Sequence, residues 1–409
     1  MKRVNPIYLY SLLIFASLLI CTNTLSIVNR EKRSLIVDVS AYFKCPNTIY
    51  TIKQVIDLNG MKLVIPPGCT LIFKDNGCLK NGFVIGSDSR IEGKKHLFDN
   101  IKIGGSWIVD TISSDMFKDL SSDNSIKNVF ALASDSFQNK ITIENGKYWI
   151  SASKSSPNVL RVPSNTNLEI NGLICLRPND LKSYSMLYIK DSRNISIHGR
   201  GTVRGDKYEH IGKDGEWGMC VKMNKSDSIQ IYDLTLSHAW GDCIYVGSGC
   251  KNVNIYNCKL NEGRRQGISI IAGKHVEIKD CKITNVGGTA PECGIDVEPN
   301  YRDTVESVWV ENVKVKDSRG GLLVCGRIGK DSQIRNVTFK NCEISSDSRF
   351  AIRIARCDTM NILECKIKKG GRDTAIYCKN VKRLELRRNK VTCDIIPLKF
   401  MKCGNVVVE

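Results

Sequence analysis

The chain has 409 residues, 42% of them hydrophobic and 25% charged, enough for a sizeable core in one long domain or two ordinary ones. Glycine is frequent at 32 and proline scarce at 10, which excludes collagen-like and proline-rich disordered chains. The formal charge of +18 points to a polyanionic partner, unless the basic residues are merely scattered for solubility; no dense basic block occurs along the sequence.

Met1-Lys2-Arg3 is basic, the apolar run IYLYSLLIFASLLIC follows, and Thr24-Leu25-Ser26 supplies small residues at the offset of a cleavage site. Residues 1–26 therefore read as a secretory signal, and no later run is apolar enough to span a bilayer. The signal holds two basic residues and no acid, which leaves +16 on the mature chain. The protein is expected to be exported, to a periplasm, a cell surface or the medium. Acylation at Cys21 is a rival reading, disfavoured by the bulk of Ile20.

Residues 27–125 read as an N-terminal β-rich segment of short strands and turns, as in IDLNGMKLVIPPGCTLIFKDNGCLKNG. Residues 115–134, DMFKDLSSDNSIKNVFALAS, read as one helix. From residue 195 onward the chain repeats itself about every 24 residues, and with the less regular turns upstream residues 126–409 read as one coil. NVNIYNCKLNEGRRQGISIIAGK, HVEIKDCKITNVGGTAPECGIDVEPN and NVTFKNCEISSDSRFAIRIARC are three such rows. Each row has an alternating apolar strand, an Asn/Asp-Cys corner, a second short strand, a polar turn and a third strand. One row cannot bury its own apolar face, but stacked rows can, each strand pairing in parallel with its copy in the next turn. The expected fold is all-β, a right-handed single-stranded parallel β-helix with three short strands per turn and a smaller N-terminal β part. The final GNVVVE begins another strand and leaves an edge that needs a cap or a partner.

The 18 cysteines of an exported chain invite a disulfide framework, but their spacing argues otherwise. There is no CxxC pair for a zinc site. Cys258, Cys281, Cys342 and Cys365 fall at one place in the repeat, with Leu234, Val313 and Asn389 as equivalents. They read as small core residues, with disulfides between turns as the alternative.

The third strands can be registered on Val221, Ile244, Ile268, Ile295, Leu323, Ile352 and Ile376, at separations of 23, 24, 27, 28, 29 and 24. The longest turns lie beside GIDVEPN, and loops that grow out of a regular coil tend to line a site. Alternation then points Lys222, Tyr245, Ser269, Asp296, Val324, Arg353 and Tyr377 outward. Asp296 and Glu298 share that face, roughly 6.6 Å apart along the strand. In the preceding turns Trp217 registers on Trp240 and then Arg264, Asp242 on Gln266, and Gly241 on Arg265. One face thus gathers Glu216, Trp217, His238, Trp240, Asp242, Arg264, Arg265, Gln266, Asp296 and Glu298. Aromatic faces stack on sugars, carboxylates perform acid/base work and Arg forks bind carboxylate or sulfate.

These rows resemble the pectin-lyase-like β-helix superfamily, in particular exported bacterial proteins related to polygalacturonases. ITIENGKYWIS and VLRVPSNTNLEINGLI look like its entry turns, and GRGTVRGDKYE like its glycine-rich turn. GEWGMC, WGDCIYVG, NEGRRQGISI and GTAPECGIDVEPN look like the central turns of a bacterial β-helix subgroup. The resemblance covers about residues 126–409 and implies a secreted, polysaccharide-active protein. It does not carry over the polygalacturonase machinery. WGDC supplies one Asp where the family has two, RRQG stands in place of His-Gly, and no Arg-x-Lys follows; only Asp242 has a counterpart.

The leading expectation is a glycoside hydrolase acting on an acidic or neutral polysaccharide. Asp296 or Glu298 would be the general acid, and Asp242 or the other of that pair the base or nucleophile. Arg264, Arg265, Gln266, Glu216, Trp217, Trp240, His238, Lys222, Tyr245 and Arg353 would hold substrate. The first alternative is a polysaccharide lyase with Arg264, Arg265 or Lys222 as base and Ca²⁺ on Asp242, Asp296 and Glu298. The second is a glycan-binding surface protein without turnover. The hydrolase reading needs no cofactor. Nucleic acid is not an expected partner, since no readout module accompanies the basic residues.

Overall fold

The computed structural model describes residues 22–25, 39–118, 123–327, 333–347 and 350–409. The expected signal lies outside them apart from the strand Thr22–Leu25, and Cys21 lies outside as well. Two compact units divide the chain, one reaching Val109 and including 115–119, the other holding 110–114 and everything from 120 onward.

The first unit is a seven-stranded sheet in which every pairing is parallel. Its core is apolar, with Leu63, Ile65, Leu71, Leu79, Val84 and Phe98 buried.

In the second unit the rows become turns of a coil. One sheet of ten strands stacks the second strands from Lys147–Ile150 to Lys390–Cys393. A larger sheet carries the first and third strands of each turn, again in parallel register. This is the expected right-handed parallel β-helix. Inside the coil equivalent residues pile in columns, as Ile231, Ile255, Ile278, Val310 and Phe339 do on successive turns. Sequence position thereby becomes height, which lets distant loops meet on one wall.

The corner between first and second strands explains the cysteines. Asp233, Asn257, Asp280, Asn312 and Asn341 each take a left-handed conformation, φ between 50° and 60°, which Asn and Asp tolerate best among residues with a Cβ. Their side chains link turn to turn, Asn257 Nδ2 donating to Asp233 Oδ1 at 2.6 Å and Asn341 Nδ2 to Asn312 Oδ1 at 2.6 Å. The next residue turns inward. Cys258, Cys281, Cys342 and Cys365 are buried free thiols, each donating to a carbonyl of the turn before, as Cys258 does to Ile231 O at 3.6 Å. They are core residues; among the described residues no cysteine is bridged.

Two expectations need correction. Residues 115–134 are not one helix: a 3₁₀ turn covers Ser114–Met116, residues 119–122 lie outside the described residues, and the described α-helix is Asp123–Ala131. Its buried Ile126, Val129 and Phe130 pack on the first turns of the coil. Asp123, a strong N-cap type, stands at its start. The third-strand register also slips by one at GGLLVC. Ile295 pairs with Leu322, not Leu323, and Leu322 with Ile352. Leu323, not Val324, therefore occupies the outward place between Asp296 and Arg353. The tandem leucines hide the alternation, and the glycine before them decides it.

That glycine belongs to a column of small residues, Cys220, Cys243, Gly267, Gly294 and Gly321, that faces the ten-stranded sheet. A Cβ on Gly294 would stand 2.5 Å from Val315 Cγ1, and one on Gly267 2.5 Å from Ile283 Cγ2. Gly294→Ala should therefore cost about 1–3 kcal/mol through overpacking, read as a lower denaturation midpoint. Gly287→Ala, whose nearest contact is the flexible Arg319 side chain at 3.3 Å, is the matched control. Equal midpoints for the two variants would refute this account of the column.

Candidate functional site

Cys243 and Ile244 are successive residues and both are wholly buried. Strict alternation is therefore broken at the head of the third strand, and residues on either side of this pair can both face out. Asp242, Gln266 and Cys293 form one outer column. Lys222, Tyr245, Ser269, Asp296, Leu323 and Arg353 form the second. Hydrogen bonds cross between them: Ser269 Oγ donates to Asp242 Oδ2 at 2.8 Å, and Gln266 Nε2 to Asp296 Oδ2 at 2.9 Å. Gln266 Oε1 is fixed in turn by the Cys293 amide at 3.2 Å and thiol at 2.9 Å.

The lower layer of this wall is dry. Asp242, Gln266, Ser269 and Asp296 are each 0% exposed. Asp242 keeps company with a cation, Arg265 Nη1, which donates to its Oδ2 at 3.0 Å. Burial pushes the Asp242 carboxyl up to about 6, with Arg265 and Ser269 pulling the other way. Arg265 ends above its ordinary value: burial opposes its charge, but Asp242, Asp296, Glu216 and Glu298 together outweigh that. Asp296 is less well served. Its Oδ1 is buried with no hydrogen-bond partner, and the buried Leu323 stands beside Asp296 in register on the next turn. Burial first, and then the neighbouring Glu298 carboxylate, raise its pKa well above the usual range. Glu298 is half-exposed, held by its backbone N–H on Ile270 O at 3.2 Å, and is the member of the pair that meets solvent.

The tryptophans do not pack on one another. Trp217 is 47% exposed, whereas Trp240 is buried between two partners. Arg264 lies over its ring at 3.7 Å from the centroid, anchored by Nη1 on Gly215 O at 2.9 Å. The His210 ring stacks on Trp240 at 3.9 Å and 18°. His210 is held by Asp206, whose Oδ2 accepts from Nδ1 at 2.8 Å and from Asn179 Nδ2 at 2.9 Å; Tyr184 donates its hydroxyl to Asp206 Oδ1. Arg264 is thus committed to a structural stack.

Glu216, partly exposed, approaches Arg265 Nε at 3.9 Å and extends the charged rim. Lys222 is half-buried with its pKa lowered by burial, its Nζ 5.7 Å from the Tyr245 ring centre. Burial, and then the Asp242 charge, push the Tyr245 hydroxyl up to about 12. His238 sits apart from the carboxylates, edge-on to Tyr208 at 5.6 Å, with its pKa lowered by burial and by Arg204. Arg353 is exposed two turns beyond Asp296 and lies 5.5 Å from the Tyr377 ring centre. Glu216, Asp242, Arg265, Gln266, Asp296 and Glu298 therefore form one cluster, flanked by Lys222, Tyr245 and the Trp240–Arg264 stack; His238 and Arg353 stand at its margins.

Sequence reasoning missed Asp206, His210, Tyr184, Cys293 and the place of Leu323 beside Asp296. Asp206 and His210 belong to GDKYEH, a loop with no register to place it; its excess length between two regular strands was the one available signal. The Ca²⁺ of the lyase alternative finds no donor set. Asp242 faces Arg265 and Asp296 accepts from Gln266, and among the described residues no three His, Cys, Asp or Glu side chains are grouped to hold a metal.

Residues 166–327 and 219–393 match a family model described as right handed beta helix region. Two Bacillus subtilis proteins are similar to part of the chain. The SPbeta prophage-derived uncharacterized protein YorA is 28% identical over 162 residues, 34% of this chain and 28% of that one. Uncharacterized protein YclG is 28% identical over 178 residues, 38% of this chain and 30% of that one. The similarity thus spans under a third of either relative. Among solved structures, the polygalacturonase of Erwinia carotovora has a TM-score of 0.48 at 12% identity, covering 73% of this chain and 96% of that one. The A-module of the Azotobacter vinelandii mannuronan C-5 epimerase AlgE4 has a TM-score of 0.44 at 12% identity, covering 73% and 99%. No residue assignment rests on these structural likenesses.

Proposed function

The chain belongs to the right-handed β-helix family, and from that premise we propose that it is an exported glycoside hydrolase whose acid is Asp296. The observation that carries the reading is a wholly buried carboxyl group, one oxygen partnerless, two residues from a carboxylate that meets solvent. A carboxylic acid held protonated beside an accessible carboxylate is the pairing that glycoside hydrolysis requires. Asp296 donates its proton from Oδ1 to the departing glycosidic oxygen. Glu298 acts as base toward water or as nucleophile toward the anomeric carbon. Asp242 and Arg265 fix the wall between them, and Arg265, Glu216 and exposed Trp217 contact sugar. Asp296 is covered in the free protein, so the Arg265 and Glu298 side chains must part as substrate enters.

The lyase reading loses two of its bases, because Arg265 is raised in pKa by its carboxylates and Arg264 is stacked on Trp240. It retains Lys222, whose pKa is lowered by burial. The products decide. Purified protein is incubated with polygalacturonate, other uronate polymers and neutral glucans, and products are weighed by mass spectrometry. Fragments that have gained water and do not absorb in the ultraviolet are the expected result. Unsaturated, absorbing fragments would transfer the chemistry to Lys222, and binding with no fragments on any polymer would leave a docking protein.

A further inference from the structure

The charge of the chain is concentrated by the coil in a way its sequence conceals. On the outer face of the ten-stranded sheet, the first residue of each of the last seven strands reads Thr235, Lys259, Lys282, Lys314, Glu343, Lys366 and Lys390 on successive turns. Two residues on, the row reads Ser237, Asn261, Thr284, Lys316, Ser345, Lys368 and Thr392. Seven lysines, successive ones 2 to 50 residues apart in sequence, thus share one face, and all seven are exposed. The one acid in these two rows, Glu343, is divided among Lys314 at 3.4 Å, Lys316 at 3.6 Å and Lys366 at 3.9 Å. Asp317 and Asp347 border the groove of about 540 Å³ at its far end, between Lys316, Lys366, Lys368 and Lys390.

The neighbouring face shows what a merely soluble surface looks like on this coil. There the charges alternate in register, Lys279 against Glu311 against Lys340 and Lys274 against Glu306 against Arg335, with ion pairs at 3.5 Å and 3.7 Å. On the ten-stranded sheet Lys259, Lys282 and Lys314 instead stack like on like, about 4.8 Å apart, an arrangement that costs stability unless an anion intervenes.

We propose that this lysine face docks a linear anionic polysaccharide lying along the coil axis. The proposal rests on the hydrolase reading for the class of polymer, and holds the chain outside the catalytic wall. The repeat of one ammonium per turn suits a polymer with one carboxylate or sulfate per sugar, and the Asn, Thr and Ser row beside it offers hydrogen bonds to hydroxyls. From Thr235 to Thr392 neither row carries an aromatic residue on which a base could stack or an apolar residue that could enter a bilayer; Trp149 lies in the second row at the start of the sheet, with Lys147 Nζ 4.5 Å from its ring centre.

Binding is measured on the full chain carrying Asp296→Asn, with and without Lys259→Gln, Lys282→Gln, Lys366→Gln and Lys390→Gln together. Polygalacturonate is the anionic probe and dextran the neutral one. Removing the four lysines should weaken polygalacturonate binding at least about tenfold and flatten its dependence on salt, with dextran unaffected. Equal affinity with and without the lysines would overturn the proposal. So would lysine-dependent binding of a DNA duplex or of phosphatidylserine vesicles that exceeds binding of polygalacturonate. Failure of the catalytic reading has a different signature: turnover that survives Asp296→Asn, which leaves the lysine-dependent binding standing.

Discussion

Asp296→Asn should lower kcat by roughly 10²–10⁴-fold and leave KM close to that of the parent protein. The amide keeps the volume of the carboxyl group and can still accept from Gln266 through its oxygen, so the wall should hold its shape. What it loses is the transferable proton. Glu298→Gln should lower kcat comparably, since the pair acts as a unit. The pH profile separates the roles. Activity should fall below about pH 6, where Asp242 takes up a proton and weakens its hold on Arg265. It should fall again at high pH, where Asp296 finally ionises, and Glu298→Gln should move that upper limb down in pH, because removing the neighbouring charge eases ionisation of Asp296. Stability carries an independent sign. The folded pKa of Asp296 lies well above its unfolded value of 3.8, so the folded state binds the extra proton. Its contribution to stability is therefore lost progressively as pH rises from about 4 toward the folded pKa. Asp296→Asn removes that loss, and its denaturation midpoint should gain on the parent protein between pH 5 and pH 8. A variant that retains full turnover, or whose midpoint falls relative to the parent as pH rises, would remove Asp296 from the mechanism.

The fold was legible because a parallel coil writes its architecture into the sequence several times over. Asn257-Cys258, Asp280-Cys281 and Asn341-Cys342 mark the same corner, and each repetition strengthens the inference from the last. The register failed at Leu322-Leu323, where two equivalent leucines leave alternation silent and only the packing of Gly321 against Ile344 fixes the phase. The same one-residue slip decides which residue stands beside Asp296 on the next turn, Leu323 and not Val324. Alternation likewise places Asp296 on the outer side of the strand, but outer does not mean wet. Burial of Asp296 depends on what Leu323, Arg265 and Glu298 do above it, which is three-dimensional information. The lysine face was invisible for the complementary reason: residues about 24 apart look scattered along a line and become neighbours only when the line is wound.

The largest expected loss of stability follows Arg265→Met, and it should depend on pH. Arg265 is the cation that faces a carboxylate with no access to water, so its removal leaves Asp242 buried and uncompensated. Losing one partner of such a pair costs about 3–5 kcal/mol when the other remains charged. Asp242 has an escape, because it can accept a proton. With Arg265 in place burial already holds it at about 6; without Arg265 the folded pKa must move further up, away from the unfolded value of 3.8. A raised carboxyl pKa removes stability as pH rises, so the penalty of Arg265→Met should be small near pH 5 and grow through pH 6 to 8. Unfolding by denaturant at the two ends of this range measures the difference. Adding Asp242→Asn supplies the decisive arm: with no charge left to strand, the double variant should recover most of the stability lost at pH 8. A penalty that is the same at pH 5 and pH 8, or that Asp242→Asn fails to relieve, would mean that Arg265 contributes through the packing of its stem rather than through its charge.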